Sequence, residues 1–570
     1  MAARPSELTA VARLVCLCIA TLILLFLPDL LLYWQGYSVT AAASLKQLFY
    51  ALVIALLIST AQSRKFRMAA ITFLVLNQII WTGYVVYFGQ ALSPEHLLLV
   101  QYEANDTALG VLDEWQALLP WLVTLLAGGL ALAVFQWREG DYARWRSRIS
   151  GSAFVVLIVT ATAIWMFQPR INVAFPGKHT ASFYGPYQAL VGAFRLGMTK
   201  VAAAGLNVSA QTQQELAPPT EPVTVVVVMG ESINASRLSV LGFTADTTPV
   251  LAKWRSTPPD GFTLIPQIGF SGGLDTFASV PAFLRAAYWP VEAQKFGVNL
   301  FELAHRRGFK SWYFSAQTLN YLEAAGGAQH AERVEAVPND DELAELAAAV
   351  PERGDNNFIF LHQRVNHTPY TSNCAPAEGL YIFKTDAGSA DDQRKAAYDN
   401  GLRCWDRDVA ALVEPFLKRR GAVHIFITAD HSELMAENGR WGHGFVDLRV
   451  AMVPMMLLTN RPQSDVASLF KSRSPPTAYH LSQSVALGLG VRLETPNIST
   501  TRFFLNGTMP FALAGFLEVE QLEPGVYRVK NFSRNGQLVS QEITNLPEAA
   551  AANVSMRLTN KTPPATLSVR

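Results

Sequence analysis

Three observations predict an N-terminal bundle of five transmembrane helices, an exported α/β domain and a small C-terminal β-rich appendage. Every long apolar segment lies before about residue 168, three valine- and phenylalanine-rich runs beyond it alternate with helical stretches, and the last segment alternates in hydropathy between turn signals. Half of the 570 residues are hydrophobic and 16% are charged, which excludes a mostly disordered chain. The 46 basic and 45 acidic residues leave a net charge of +1. That is no field for a polyanion, and nucleic acid is not expected as a partner.

The apolar segments cover residues 10–34, 44–59, 68–89, 115–137 and 151–167. Each approaches the roughly 20 residues that cross about 30 Å of hydrocarbon, the second by borrowing flanking residues. Trp34, Trp81, Trp115, Trp137 and Trp165 stand near their ends, where amphipathic rings favour the interface. Arg4 precedes the first segment and Arg13 stands at its start, Arg64, Lys65 and Arg67 separate the second from the third, and Arg138, Arg144, Arg146 and Arg148 separate the fourth from the fifth. Residues 35–43 and 90–114 hold no Lys or Arg. The positive-inside rule therefore puts the N-terminus in the cytoplasm and, after five crossings, the remaining ~400 residues outside. The first segment is too long for a removed signal peptide and lacks a small-residue cleavage site, so it reads as an anchor. Cys16 and Cys18 sit within it as small apolar residues. Cys374 and Cys404 belong to the exported part, where an oxidising compartment permits a disulfide. After the anchor, aromatic and turn residues such as Phe175, Phe183, Tyr184 and Tyr187 suit a bilayer surface, and QTQQELAPPTEP at 211–222 reads as a linker.

The runs VTVVVVM at 223–229, NFIFLH at 357–362 and VHIFITA at 423–429 read as buried strands. Helical stretches around 298–307, 341–350 and 393–418 lie between and beside them, which predicts a parallel, doubly wound sheet. Ligands gather beyond the carboxyl ends of such strands. The first run leads into Gly230 and Glu231, the second into His362 and then His367, and the third into Asp430, His431 and Glu433. Singly, each has an ordinary reading: a cap or solvated acid for Glu231, a hydrogen-bonded core residue for either histidine, and caps of a helix beginning near Ser432 for Asp430 and His431. Together, carboxylate and imidazole at three strand ends suit zinc or manganese, and the lack of a cysteine cluster speaks against a closed structural zinc site. GFSGGLDTFASVPAFLRAA at 269–287 is a Gly-rich turn running into a helix-compatible stretch, with Thr276 near the helix N-terminus, a position that favours phosphate. Thr276, Asp275 and Ser279 all read as ordinary caps. Coordination to a divalent cation would instead make the Thr276 hydroxyl a nucleophile.

The segments GESINASRLSVLGFTADTTP at 230–249, DTFASVP at 275–281, FLHQRVNHTP at 360–369, YDNGLRCWD at 398–406 and TADHSELMAENGRWGHG at 428–444 resemble, in order and spacing, the motif series of bacterial membrane phosphoethanolamine transferases of the alkaline phosphatase and sulfatase superfamily. The similarity includes the five-helix anchor, with YFG at 87–89, and continues to about residue 496. The resemblance implies an anchor over 1–168, a juxtamembrane linker over 169–222, a sulfatase-like catalytic domain over 223–499 and an extension over 500–570. It implies that Glu231, Thr276, Asp430 and His431 hold a catalytic zinc, with manganese as the alternative and room for a second zinc. Thr276 then accepts the phosphoryl group, His367 and His443 hold phosphate or a second zinc and protonate the leaving group, and His362 and Glu433 support the substrate site. Asn105, Thr107 and Glu114 in the second outward loop face either the lipid or solvent. The implied reaction is ping-pong: phosphoethanolamine passes from phosphatidylethanolamine to Thr276 and then to a cell-envelope glycan or lipopolysaccharide. The implied setting is the inner membrane of a two-membraned bacterium, as a monomer among membrane lipids with the catalytic domain in the periplasm.

Three departures accompany the likeness. Some relatives bracket the nucleophile with a disulfide, and the matching positions here are Gly272 and Ala282, so rigidity must come from elsewhere. FKSWYFSAQ at 309–317 is more similar to relatives acting on lipopolysaccharide core or periplasmic glucans than to those acting on lipid A. GFLEVEQLEPGVYRVKNFSRNGQLVSQEI has no counterpart and reads as a β appendage packed on the catalytic domain. The rival readings are a phosphoglycerol transferase using phosphatidylglycerol and a non-catalytic membrane-tethered receptor. A sulfatase would need Cys/Ser-x-Pro-x-Arg, and CAPAE at 374–378 lacks the Arg. A transporter would need more ionisable residues within the spans. The Asn-x-Ser/Thr sequences at Asn234 and Asn366 flank Glu231 and His367, where a glycan would obstruct the site.

Overall fold

The computed structural model describes residues 5–34, 45–88, 115–138, 148–167, 181–198, 211–288, 298–352, 355–370, 379–384, 388–494, 499–512, 515–533 and 536–546, with Leu92, Pro94, Leu97, Cys374 and Asp386 between them. The chain divides into two compact units, Met1–Thr199 with Ala436–Trp441, and Lys200–Met435 with Gly442–Arg570.

The first unit is built from helices α1 (Pro5–Trp34), α2 (Leu45–Thr60), α3 (Arg64–Phe88), α4 (Trp115–Arg138), α5 (Arg148–Phe167) and α6 (Gly185–Met198). Four of them are long and apolar enough to cross a membrane, and α2 contributes a shorter apolar stretch, Gln47–Thr60. Leu25, Ala55, Ile58, Ile71, Leu74, Leu132 and Phe154 meet in one core. Buried polar groups tie the helices where lipid offers no partner. Arg67 donates to the carbonyls of Ala61 (2.7 Å) and Gln136 (3.0 Å), which sit near the C-terminal ends of α2 and α4, where a cation is favoured. Gln78 donates to Leu24 O at 2.8 Å, and Asp29 accepts from Ser182 N and Oγ. Trp81 faces inward rather than outward from the helices: it is 1% exposed, among Leu32, Val85 and Ala189. The juxtamembrane stretch likewise packs inward, because Phe183 joins the bundle core and α6 follows it.

The second unit is centred on a seven-stranded sheet. Its strands are β2 (Val223–Gly230), β3 (Thr263–Phe270), β4 (Lys310–Ser315), β5 (Arg333–Ala336), β6 (Asn357–His362), β7 (Ala422–Ala429) and β10 (Met452–Thr459), in the order β3-β10-β7-β2-β6-β4-β5. The five strands from β7 to β5 are parallel, but β10 runs antiparallel to both β7 and β3. The wholly parallel sheet expected from the sequence is thus a mixed one. β2 and β7 are buried along all eight residues, as central strands covered on both faces must be. The expected linker also contributes structure: β1 (Thr212–Glu215) pairs antiparallel with β11 (Val491–Glu494). Instead of a helix beginning near Ser432, the chain forms a hairpin of β8 (Leu434–Glu437) and β9 (Arg440–Gly442). The appendage is an antiparallel sheet in the order β12 (Arg502–Asn506), β13 (Phe516–Glu523), β14 (Val526–Phe532) and β15 (Leu538–Asn545). Cys374 and Cys404 form a disulfide.

Candidate active site

Strand register brings the site together. Gly230 lies opposite Ala429, and Met229 opposite His362, so the ends of β2, β6 and β7 are level. Because β3 is antiparallel to β10, and β10 to β7, β3 runs in the same sense as β7 and releases residues 271–275 at the same edge. Gly230 permits this closeness: a Cβ there would stand 2.5 Å from Trp405 Nε1. Asp275 caps the helix Thr276–Leu284 by accepting from Phe277 N, which places Thr276 at its first position.

Thr276 Oγ1 lies 2.7 Å from Asp430 Oδ2, 3.1 Å from His431 Nε2 and 3.3 Å from Glu231 Oε2. His431 Nε2 is 3.4 Å from Glu231 Oε1 and 3.5 Å from Asp430 Oδ2. All four residues are buried. One oxygen or nitrogen from each of Glu231, His362 and Asp430 also falls within a 4.8 Å span. No lysine or arginine pairs with Glu231 or Asp430 among the described residues. Two buried carboxylates so placed cannot both ionise without a cation: burial and the Glu231 charge hold Asp430 well above the usual carboxylate range. Burial, with His443 nearby, takes His431 down to about 3, so its imidazole is neutral. Oxygen donors, a neutral imidazole and uncompensated carboxylate charge together fit a divalent cation of the zinc or manganese type.

Glu433, His443 and His367 lie beside these residues. His443 Nδ1 is 3.0 Å from Glu433 Oε1, its Nε2 is 3.9 Å from Asp275 Oδ2, and its ring centroid is 4.0 Å from that of His431. Burial disfavours its charge, but the Glu433 hydrogen bond and charge outweigh this and raise His443 to about 10. The His367 ring lies 6.5 Å from that of His443. Asn105, Thr107 and Glu114 lie outside the described residues. Asn234 and Asn366 are buried, 3% and 0% exposed, so neither presents an amide to a glycan.

Two contributors escaped sequence reading. Gln317 Nε2 donates to Glu231 Oε2 at 2.7 Å and to Gln363 O at 2.8 Å, and lies 3.1 Å from His362 Nε2. Tyr370 donates to Glu433 Oε2 at 2.7 Å. Gln317 stands two residues past the end of β4, as Glu231 follows β2, and that offset was the signal available for it.

Residues 223–468 match the family model described as Sulfatase. The chain carries a sulfatase-family domain. Phosphatidylethanolamine transferase Mcr-1 of Escherichia coli is 27% identical over 257 residues, 39% of this chain and 45% of that protein. Phosphoethanolamine transferase EptA of Helicobacter pylori is 24% identical over 347 residues, 56% of this chain and 63% of that protein. The chain spans about half the length of these curated relatives. Among solved structures, the integral membrane lipooligosaccharide phosphoethanolamine transferase A of Neisseria meningitidis matches with a TM-score of 0.56 at 16% identity, covering 84% of this chain and 95% of that one. At that identity the likeness is one of fold: apolar helices joined to a sulfatase-family domain.

Proposed function

We propose that this protein is a phosphoethanolamine transferase of the bacterial inner membrane, with its sulfatase-family domain in the periplasm. It takes phosphoethanolamine from phosphatidylethanolamine and passes it to a glycan or lipopolysaccharide acceptor. The observation that carries this reading is the contact of Thr276 Oγ1 with Asp430, His431 and Glu231 within 2.7–3.3 Å. Those four residues would hold the cation. A bound zinc, or manganese, would lower the hydroxyl pKa and draw charge from phosphoryl oxygens.

Thr276 donates its hydroxyl hydrogen to Asp430, which would be ionised and able to take that proton with a cation offsetting the Glu231 charge, and Oγ1 then attacks phosphorus. The Oγ1–P bond forms as the bond to the diacylglycerol oxygen breaks, and His443 or His367 protonates that oxygen. His443, held charged by Glu433, is suited to face the phosphoryl oxygens. In the second half the acceptor hydroxyl gives its proton to the histidine that protonated diacylglycerol, its oxygen bonds to phosphorus as the P–Oγ1 bond breaks, and Thr276 Oγ1 takes its proton back from Asp430. The name of the matched family does not imply sulfatase chemistry, since Cys374 is oxidised in a disulfide and the described helix N-terminus presents a threonine.

The test is mass spectrometry of the full chain incubated with phosphatidylethanolamine vesicles. The expected result is one added phosphoethanolamine on the Thr276 peptide, abolished by a chelator and absent in Thr276→Ala. An adduct elsewhere, or one only from phosphatidylglycerol, overturns the reading.

A further inference from the structure

The loop that delivers Thr276 is held within its own domain at its two ends: Ser271 N donates to Ala451 O and Gly444 N to Leu274 O, both at 2.8 Å, and Ser271 Oγ donates across the loop to Gly273 O at 2.6 Å. Residues 271–274 are Ser-Gly-Gly-Leu, and both glycines are packed against the following helix: a Cβ on Gly272 would meet Ala282 Cβ at 2.8 Å, and one on Gly273 would meet Ala278 Cβ at 2.6 Å. Glycine allows this approach but adds backbone freedom. Positions 272 and 282 hold Gly and Ala, so no disulfide ties the loop to the helix there.

The β appendage adds restraints at Gly272 itself. Asn506, at the end of β12 and 2% exposed, donates to Gly272 O twice, from its main-chain N at 2.9 Å and from Nδ2 at 3.0 Å. Its amide cannot rotate away, because Oδ1 accepts from Ala512 N at 3.0 Å. One residue on, Gly507 O accepts from Leu274 N at 3.1 Å. Just before the loop, Phe270 stacks on Phe503 of β12 at 4.8 Å and meets Tyr527 of β14 edge-on at 5.4 Å. The appendage thus grips the loop before, within and after its two glycines.

We propose that the C-terminal β sheet is a working part of the active site, and that Asn506 is a positioning residue that keeps Thr276 aligned with Glu231, Asp430 and His431. This rests on Thr276 being the nucleophile. Attack geometry tolerates little displacement, and about an ångström can cost on the order of a hundredfold in rate.

The experiment measures how fast Thr276 is loaded in the full chain over a range of phosphatidylethanolamine vesicle concentrations. Asn506→Ala is expected to lower the saturating rate by at least about tenfold, with the half-saturating lipid concentration within about twofold. Hydrogen exchange is expected to quicken in residues 271–276 and to stay unchanged in β2 and β7. If Asn506→Ala does not fold, Asn506→Asp decides, since it keeps the main-chain bond and an acceptor for Ala512 N while replacing the Nδ2 donor by a carboxylate oxygen that faces Gly272 O. A saturating rate that is unchanged, or that falls only with the folded fraction, overturns the proposal. Thr276→Ala separates the two readings. Continued loading in that variant defeats the nucleophile assignment, whereas an inert Thr276→Ala beside fully active Asn506 variants defeats the positioning role alone.

Discussion

At the scale of single residues, the arrangement around Thr276 depends on groups that never touch phosphorus. Gln317 holds the oxygen of Glu231 nearest Thr276 and reaches His362, so one amide orients two candidate ligands. Such supporting contacts are worth roughly 10–100-fold in metal affinity. Gln317→Leu is therefore expected to weaken zinc binding by that factor, read by competition with a chromophoric chelator, while Gln317→Glu adds a third buried carboxylate and weakens it less or reverses the sign. Glu231, Thr276, Asp430 and His431 could be named from the sequence because each follows a strand or opens a helix within a motif. Gln317 and Tyr370 could not, since a glutamine or tyrosine has no pattern of its own until the partner it bonds is known.

Elements rather than residues decide where the chemistry stands. Four strands running in one sense end at one level, and the capped helix Thr276–Leu284 begins there. The strand runs at 223, 357 and 423 were readable from unbroken apolar sequence. The reversal at β10 was not, because a fully buried antiparallel strand has the same composition as its parallel neighbours. The helix Ala390–Leu417 carries Cys404, and its disulfide to Cys374 closes a separation of 30 residues. Closing such a loop restricts the unfolded chain by about 3–4 kcal/mol. Reduction should lower the denaturation midpoint of the folded domain accordingly, and Cys374→Ala with Cys404→Ala should reproduce the effect of reductant. An unchanged midpoint would mean that the bond contributes nothing to stability.

For the molecule as a whole, the test of the packed core is pH. His424, buried on β7 with Nδ1 2.9 Å from Thr459 Oγ1, is pushed down to about 4 by burial and by Arg461. His480, whose Nδ1 accepts from Thr477 N, is lowered to about 3 by burial and by Arg473. Above the ordinary histidine value near 6.5 both states are neutral and nothing is lost. As pH falls below 6.5 the unfolded chain takes up protons that the folded chain refuses, so stability declines progressively, until about pH 4 for His424 and about pH 3 for His480. Denaturant midpoints measured from pH 7 to 4 should fall, and His480→Gln, which keeps an acceptor without a titrating group, should flatten part of that slope. Hydropathy and charge were enough to establish an apolar helical unit followed by an α/β unit, because membrane crossing and strand burial are written locally in runs of apolar residues. The grip of the C-terminal sheet on the Thr276 loop, the inward place of Trp81 and the bond from Gln317 to Glu231 belonged to the folded state alone. Each is a contact between residues far apart in the chain, and only strand order and register bring them within bonding distance.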